Sequence, residues 1–310
     1  MAKRKLDKKS KKEQAKKEEE TKFDFYKKNY KKLMIIPVLF FILALIFIFQ
    51  TIQVDGTPIN RDISLKGGLS AVLNVDSQLS LDHFLNDLNK KYIENSFVVS
   101  EIFENGKRTG FIVDTDLDED EFKAFVSGYF EVEFEFGKNY SSNFISPTLS
   151  SAFFIQAVYI LIVSFVLMSA VIFFYFREFV PSFAVVLSAL FDVIVTVGIL
   201  DLFGVKISIA GIGALLMLIG YSIDTDVLLT NRLLKESGDN YLEKTFEAFK
   251  TGVLMTSTTL IAGIAALIIT NSEVISEIAL ILVLGLIVDF VSTWIQNTGI
   301  LLWWFEKRRN

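Results

Sequence analysis

Six runs of about twenty apolar residues, at 33–52, 153–176, 180–203, 207–230, 251–270 and 278–304, constrain this chain more than any other feature. A helix needs about 20 residues to cross the roughly 30 Å hydrocarbon core of a bilayer, and inside that core it satisfies its own backbone hydrogen bonds. The 310 residues are 52% hydrophobic yet 22% charged, so apolar and charged residues must be segregated into blocks. The expected class is therefore an α-helical polytopic membrane protein with six transmembrane helices, its outer faces meeting the lipid bilayer. The chain has no cysteine, which excludes a disulfide framework and a thiolate metal site. The single histidine, His83, sits among polar residues and reads as a surface helix position. No metal and no cofactor is expected.

An even number of spans puts both termini on one side. Lys31, Lys32, Arg177, Arg232, Lys235, Lys307, Arg308 and Arg309 all fall on that side, and the excess of Lys and Arg in cytoplasmic loops assigns it to the cytoplasm. The expected organisation is a charged cytoplasmic tail at 1–32, a first transmembrane helix at 33–52, an extracytoplasmic domain at 53–152, a five-helix transmembrane region at 153–305 and a cytoplasmic C-terminus at 306–310. The tail alternates Lys and Glu blocks and reads as a solvated segment rather than a nucleic-acid-binding arm. Its Lys27, Lys28, Lys31 and Lys32 stand where anionic lipid would attract them. The run that follows is a full bilayer long and lacks a small-x-small cleavage site, so a cleavable signal is not expected.

Between the first two runs the periodicity changes. Leu69 to Val75 alternates, Leu81 to Tyr92 has helical spacing after Ser80 as a candidate N-cap, and Phe97 to Glu104 alternates again. Asn105-Gly106 reads as a hairpin turn, followed by a strand to about Val113, a helix through Phe122, Phe125 and Val126, and an alternating Glu131 to Phe136. The order strand, helix, strand, strand, helix, strand predicts an α+β domain of the split β-α-β, ferredoxin-like kind.

A charged side chain at the centre of a bilayer costs roughly 3 kcal/mol on insertion scales, which makes intramembrane carboxylates functional candidates. Asp192, Asp224 and Asp289 lie in the third, fourth and sixth runs. Asp226 is about 200° around the helix from Asp224, and a structural role near the cytoplasmic end is expected of it. Asp224 shares a stripe with Gly213, Met217 and Gly220, small or flexible residues that let another helix approach closely. In the fifth run Thr256, Ser257, Thr258 and Thr259 fall at a similar depth, which predicts a polar seam between spans four and five. Tyr221 and Ser222 join that set of candidates. Gly211-Ile212-Gly213 has no preceding strand and reads as helix packing, not as a phosphate loop.

The stretch Phe191-Asp192-Val193-Ile194-Val195-Thr196-Val197-Gly198-Ile199, then Leu202-Phe203-Gly204, then Ile219-Gly220-Tyr221-Ser222-Ile223-Asp224-Thr225-Asp226-Val227 with Asn231-Arg232 beyond, resembles spans three and four of the SecF half of the SecD/SecF protein-export family. Lys66-Gly67-Gly68 is similar to that family's Asp-Phe-x-Gly-Gly element, with Asp62 as a displaced acidic residue. The resemblance implies one half of a resistance-nodulation-division type bundle, partnered by a SecD-like six-span subunit. It also implies an accessory, non-enzymatic role with the Sec translocon on exported polypeptides, in which a span-four aspartate contributes to use of the proton gradient. The order Asp224-Thr225-Asp226 departs from the bacterial Asn-Asp-Thr and looks like the archaeal branch. Gly252 stands where bacterial relatives carry an Arg in span five, with Lys250 the nearest cation in sequence. Two other classes fit parts of the pattern. A lipid or small-molecule exporter of the same superfamily would be a two-half chain. An intramembrane aspartyl protease using Asp192 and Asp224 would need Gly-x-Gly-Asp and Pro-Ala-Leu elements that the sequence lacks.

Overall fold

The computed structural model describes residues 29–75, 81–93, 95, 97–104, 107–234, 241–270 and 272–309. The tail before Asn29, Ser80, the Asn105-Gly106 turn and Lys235 lie outside the described residues. Among those described, six helices are long and apolar enough to cross a membrane: Asn29–Val54, Pro147–Phe176, Phe179–Leu202, Ile209–Leu234, Lys244–Ile269 and Val274–Arg308. In chain order the elements are α1 (Ile35–Asp55), α2 (Ile63–Lys66), β1 (Gly68–Leu73), α3 (Leu81–Lys91), β2 (Phe97–Glu104), β3 (Lys107–Thr115), α4 (Glu119–Phe130), β4 (Tyr140–Ile145), α5 (Pro147–Phe176), α6 (Phe179–Leu202), α7 (Ile209–Leu234), α8 (Tyr241–Ile269), α9 (Glu273–Val291), a π-helical segment (Ser292–Asn297) and α10 (Thr298–Arg309). The chain divides into two compact units.

The unit of Arg61–Ile162 with Lys206–Ile212 is built on a four-stranded antiparallel sheet in the order β2-β3-β1-β4. Alternation puts Leu69, Ala71 and Leu73 of β1 on one face, where they are fully buried with Phe111 and Val113 of β3. Phe84 and Leu88, four apart on α3, and Phe122 and Val126, four apart on α4, supply the helical side of the same core. The start of α4 explains much of the acidic run in the sequence. Asp118 caps it by accepting from Asp120 N at 3.0 Å, and Glu119, Asp120 and Glu121 occupy the first turn, where the helix dipole favours negative charge. Asp114 accepts a 2.7 Å hydrogen bond from Ser70 Oγ. Burial pushes its carboxyl above the ordinary aspartate value, the Ser70 bond and Lys206 oppose that shift, and Asp62 adds to it.

The last strand differs from the sequence expectation. Glu131 to Phe136 alternates and buries Phe134, but it pairs with no full strand, and Glu131 closes α4 in the left-handed region at φ 54°. The strand beside β1 is Tyr140–Ile145, whose Tyr-Ser-Ser-Asn-Phe-Ile composition carries almost no apolar alternation. The paired glycines are required sterically. Gly67 and Gly68 have φ of 87° and 131°, and a Cβ on Gly67 would fall 2.6 Å from Pro147 Cα. Asp62 begins α2, its carboxylate accepting from Ser64 N at 3.4 Å.

In the unit that holds Val163–Val205 and Gly213–Asn310, α6, α7 and the sixth span are the most buried. α1 lies against α6, where Phe41 stacks on Phe191 with centroids 6.1 Å apart. α8 lies against α9, with Gly263 facing Val283. Large apolar side chains such as Leu39, Phe49, Leu167, Leu254 and Ile261 remain exposed, as lipid-facing surfaces require.

Candidate functional site: a buried carboxyl and hydroxyl cluster

Three helices carry polar side chains through otherwise apolar sequence. On α6 these are Ser188, Asp192 and Thr196, each four residues on; on α7 they are Ser222, Thr225, Asp226 and Thr230; on the sixth span they are Asp289, Ser292, Thr293 and Asn297. Spacings of three and four return to one face of a helix, and all eleven side chains are buried.

Asp192 is held on both oxygens, Ser222 Oγ donating to Oδ2 and Ser292 Oγ to Oδ1, each at 2.5 Å. Asp226 accepts on Oδ1 from Thr293 Oγ1 at 2.9 Å and from Asn297 Nδ2 at 2.7 Å. Asp289 Oδ1 lies 3.1 Å from the same Thr293 hydroxyl, and its two oxygens are 3.3 and 3.2 Å from Thr225 Oγ1. Asp289 is also in hydrogen-bonding contact with Ser222 and Asp192. No described ion pair reaches any of the three carboxyls. The π segment presents Ser292, Thr293 and Asn297 together. Thr298 N donates to Thr293 O five residues back, and Thr298 Oγ1 reaches the same carbonyl at 2.9 Å. One extra residue in a turn rotates everything beyond it by about 100°, and such single widened turns concentrate at functional sites.

Of the candidates read from sequence, Asp192, Ser222 and Asp289 come together here, and Asp226 joins them rather than standing apart near the helix end. Asp224 does not. It is exposed on the opposite face of α7 with Met217, Gly220 and Tyr221, and no described hydrogen bond joins it to Asp192. Gly213 lies on the same stripe, and a Cβ added at Gly213 or Gly220 would meet nothing within 4 Å. Gly211 is in the first turn of α7, its N–H 3.3 Å from Ser208 Oγ. Thr256 is buried and Ser257 half-buried, but no described hydrogen bond takes either to a carboxyl, while Thr258 and Thr259 donate to Met255 O at 2.7 and 3.3 Å. The described contacts of the carboxyls thus join spans three, four and six, and the described polar contacts between spans four and five are made by Arg232, away from the carboxyls. Near the Gly252 position the cation in space is Arg232 of α7, which donates to Thr251 Oγ1 at 3.0 Å. Gly252 itself faces the Trp294 ring, which leaves no room there for a side chain. Ser188, Thr293 and Asn297 were not among the sequence candidates; their spacing of four in Ser188/Asp192/Thr196 and Asp289/Thr293/Asn297 was the signal available for them.

Six apolar helices with an acidic, hydroxyl-rich interior and a sheet-based insertion after the first helix define a polytopic membrane protein. Residues 129–307 match the family described as protein export membrane protein SecD/SecF, C-terminal. A protein-export membrane protein SecF from Methanolacinia petrolearia is 35% identical over 290 residues, covering 92% of this chain and 97% of that protein. SecF proteins from Methanothermobacter thermautotrophicus and Methanocaldococcus jannaschii are 35% and 34% identical, over 91% of this chain in each case. The crystal structure of SecDF, a translocon-associated membrane protein from Thermus thermophilus, matches with a TM-score of 0.72 at 20% identity. That match covers 89% of this chain, which spans 38% of the SecDF chain, and at this identity it speaks for the fold. The chain belongs to the SecD/SecF family of protein-export membrane proteins, on its SecF side.

Proposed function

We propose that this chain is an accessory membrane subunit of protein export, acting with a SecD-like six-span partner and the Sec translocon on polypeptides crossing the cell membrane. The open face of α7 carries the reading. Gly213, Met217, Gly220, Tyr221 and Asp224 recur at helical spacing on a span whose other side is buried. A carboxylate turned to hydrocarbon costs roughly 3 kcal/mol, and small residues admit a close helix, so a second protein accounts for this face better than lipid does. The names of the archaeal relatives support the same role. In this reading Asp224 with Tyr221 handles protons at the partner interface, and Asp192, Ser222, Asp226 and Asp289 form the polar interior behind it, with Thr256 and Ser257 on span five outside its described hydrogen bonds. The role is non-enzymatic and calls for no cofactor, metal or nucleic acid.

Lys31, Lys32, Arg177, Arg232, Lys307 and Arg308 favour cytoplasmic termini and an extracytoplasmic 53–152 segment. The sheet order β2-β3-β1-β4, with a helix between β1 and β2 and another between β3 and β4, supports a ferredoxin-like reading of that domain. The test is purification of the tagged chain in mild detergent. A six-span partner with a larger external loop is expected to come with it, and to be lost in Gly220→Leu. Asp224→Asn should keep the partner and impair export. Absence of any six-span partner refutes the pairing, and normal export by Asp224→Asn refutes the proton role.

A further inference from the structure

At Thr293 the buried cluster has fewer hydrogens than carboxyl contacts. Thr293 has a single hydroxyl hydrogen and lies 2.9 Å from Asp226 Oδ1 and 3.1 Å from Asp289 Oδ1. The Thr225 hydroxyl is already within 2.9 Å of Ser222 O. An ionised carboxylate only accepts, so with Asp226 and Asp289 both ionised one of the Thr293 contacts is oxygen against oxygen with no hydrogen between. One added proton resolves this: Asp289 donates to Thr293 Oγ1, and Thr293 donates to Asp226 Oδ1. Asp192 has a hydroxyl donor on each oxygen, and its contact with Asp289 also requires a proton on one of the two carboxyls.

A second observation lies at the other end of the same row. Asp226 Oδ2, Asn297 Oδ1 and Thr230 Oγ1 are buried without a hydrogen-bond partner among the described residues, and Asn297 and Thr230 are both 0% exposed. Asn297 is turned into the cluster by its 2.7 Å bond to Asp226 Oδ1. Ser188 of α6 also lies against the Asp226 carboxyl, and the open amide oxygen of Asn297, a side chain already bonded to Asp226, fits an Asp226 that carries the proton in one state. A metal ion fits less well. The oxygens meet at 2.5 to 3.3 Å, hydrogen-bonding distances, and no group of three or more His, Cys, Asp or Glu among the described residues is disposed to hold a metal ion. The cations of neighbouring elements are engaged elsewhere. Lys250 lies over the Phe246 ring at 4.3 Å, and Arg232 lies 3.8 Å from Glu247.

We propose that Asp289, Thr293 and Asp226 form a proton-binding site inside this chain's own bundle, holding one exchangeable proton that moves between the two carboxyls through the Thr293 hydroxyl. In the transfer the Asp289 O–H bond breaks as a bond forms to Thr293 Oγ1, and the original Thr293 O–H bond breaks as its hydrogen passes to Asp226 Oδ1. Asp289 ends as the carboxylate and Asp226 as the acid, with charge conserved. The site is complete in one chain and separate from Asp224, so its test needs neither partner nor export and fails or succeeds apart from the reading above.

The test is infrared difference spectroscopy on the purified full chain in lipid nanodiscs, in H₂O and D₂O. A carboxylic-acid carbonyl band that shifts in D₂O is expected at neutral pH. It should survive Asp224→Asn, disappear in Asp226→Asn and in Asp289→Asn, stay in Thr293→Ser and shift in Thr293→Val. The Thr293 pair and the unmodified chain decide the matter if an Asn variant does not fold. No acid band in the unmodified chain overturns the site. So does a band lost only in Asp224→Asn, or one that sodium chloride removes at constant pH and potassium chloride does not.

Discussion

A single added methyl group tests whether the first and third spans meet as closely as the structure has them. A Cβ at Gly198 of α6 would fall 2.6 Å from both the Cα and the Cβ of Ala44 and 3.0 Å from the Ala44 carbonyl oxygen. Ala44 is only 3% exposed, and two of the three atoms are backbone, so relief requires a whole helix to move. Two terms oppose each other in Gly198→Ala. Restricting the backbone favours the helix by about 1 kcal/mol, and overpacking a tight contact costs about 1–3 kcal/mol. With a backbone contact the cost falls in the upper part of that range, for a net loss of about 1–2 kcal/mol. Gly213→Ala is the control, because nothing lies within 4 Å of its Cβ position and the favourable term acts alone. Thermal denaturation in mild detergent, followed by fluorescence of Trp294, Trp303 and Trp304, reads the difference. Gly198→Ala should melt several degrees below the unmodified chain, and Gly213→Ala at or above it. Equal midpoints for the two variants would mean that α1 and α6 do not pack here.

Phe84, fully buried with ring centroids 5.3 Å from Phe111 and Tyr129 and 5.1 Å from Phe130, anchors the core of the sheet domain, and Phe84→Ala should cost about 3–5 kcal/mol. Faster hydrogen exchange at the amides of β1 and β3 in the full chain is the readout; unchanged exchange would refute it. Asp114 gives a pH dependence. Its carboxyl binds a proton more tightly folded than unfolded, so its contribution to stability is present below the unfolded value of 3.8 and is lost as pH rises through the raised folded value. Protection of β1 and β3 should therefore decline over that window, and Asp114→Asn, which keeps an acceptor for Ser70, should flatten the decline. An identical decline in the variant assigns it elsewhere.

The six spans were legible because a bilayer demands length and hydropathy, and those are local properties of sequence. Most of the sheet was legible for a similar reason, since β2 and β3 bury one face and alternate. The fourth strand was not, because β4 joins the sheet through backbone pairing with β1 while its Ser141, Ser142 and Asn143 carry no apolar signal. In the site, helical geometry already separated Asp224 from Asp226 by about 200°. It could not say which of them turns inward, since the small-residue stripe beside Asp224 is equally suited to an internal neighbour or an external one. The π segment left no trace in hydropathy, so the spacing of four among Asp289, Thr293 and Asn297 did not show that Ser292 joins them or that they turn toward spans three and four.

The two span-four aspartates are tied to each other by this geometry. Asp226 is held to the sixth span by Thr293 and Asn297, and Ser222, four residues earlier on the same face, is held to Asp192 of the third. Three bonds on one side of α7, each worth about 1 kcal/mol or more where a charged group takes part, fix the rotation of that helix about its axis. That rotation is what aims Asp224 away from the bundle. A change in protonation at Asp226 would alter two of the three bonds. Through Ser222 and Asp226 the interior cluster holds α7 in the rotation that leaves Asp224 exposed.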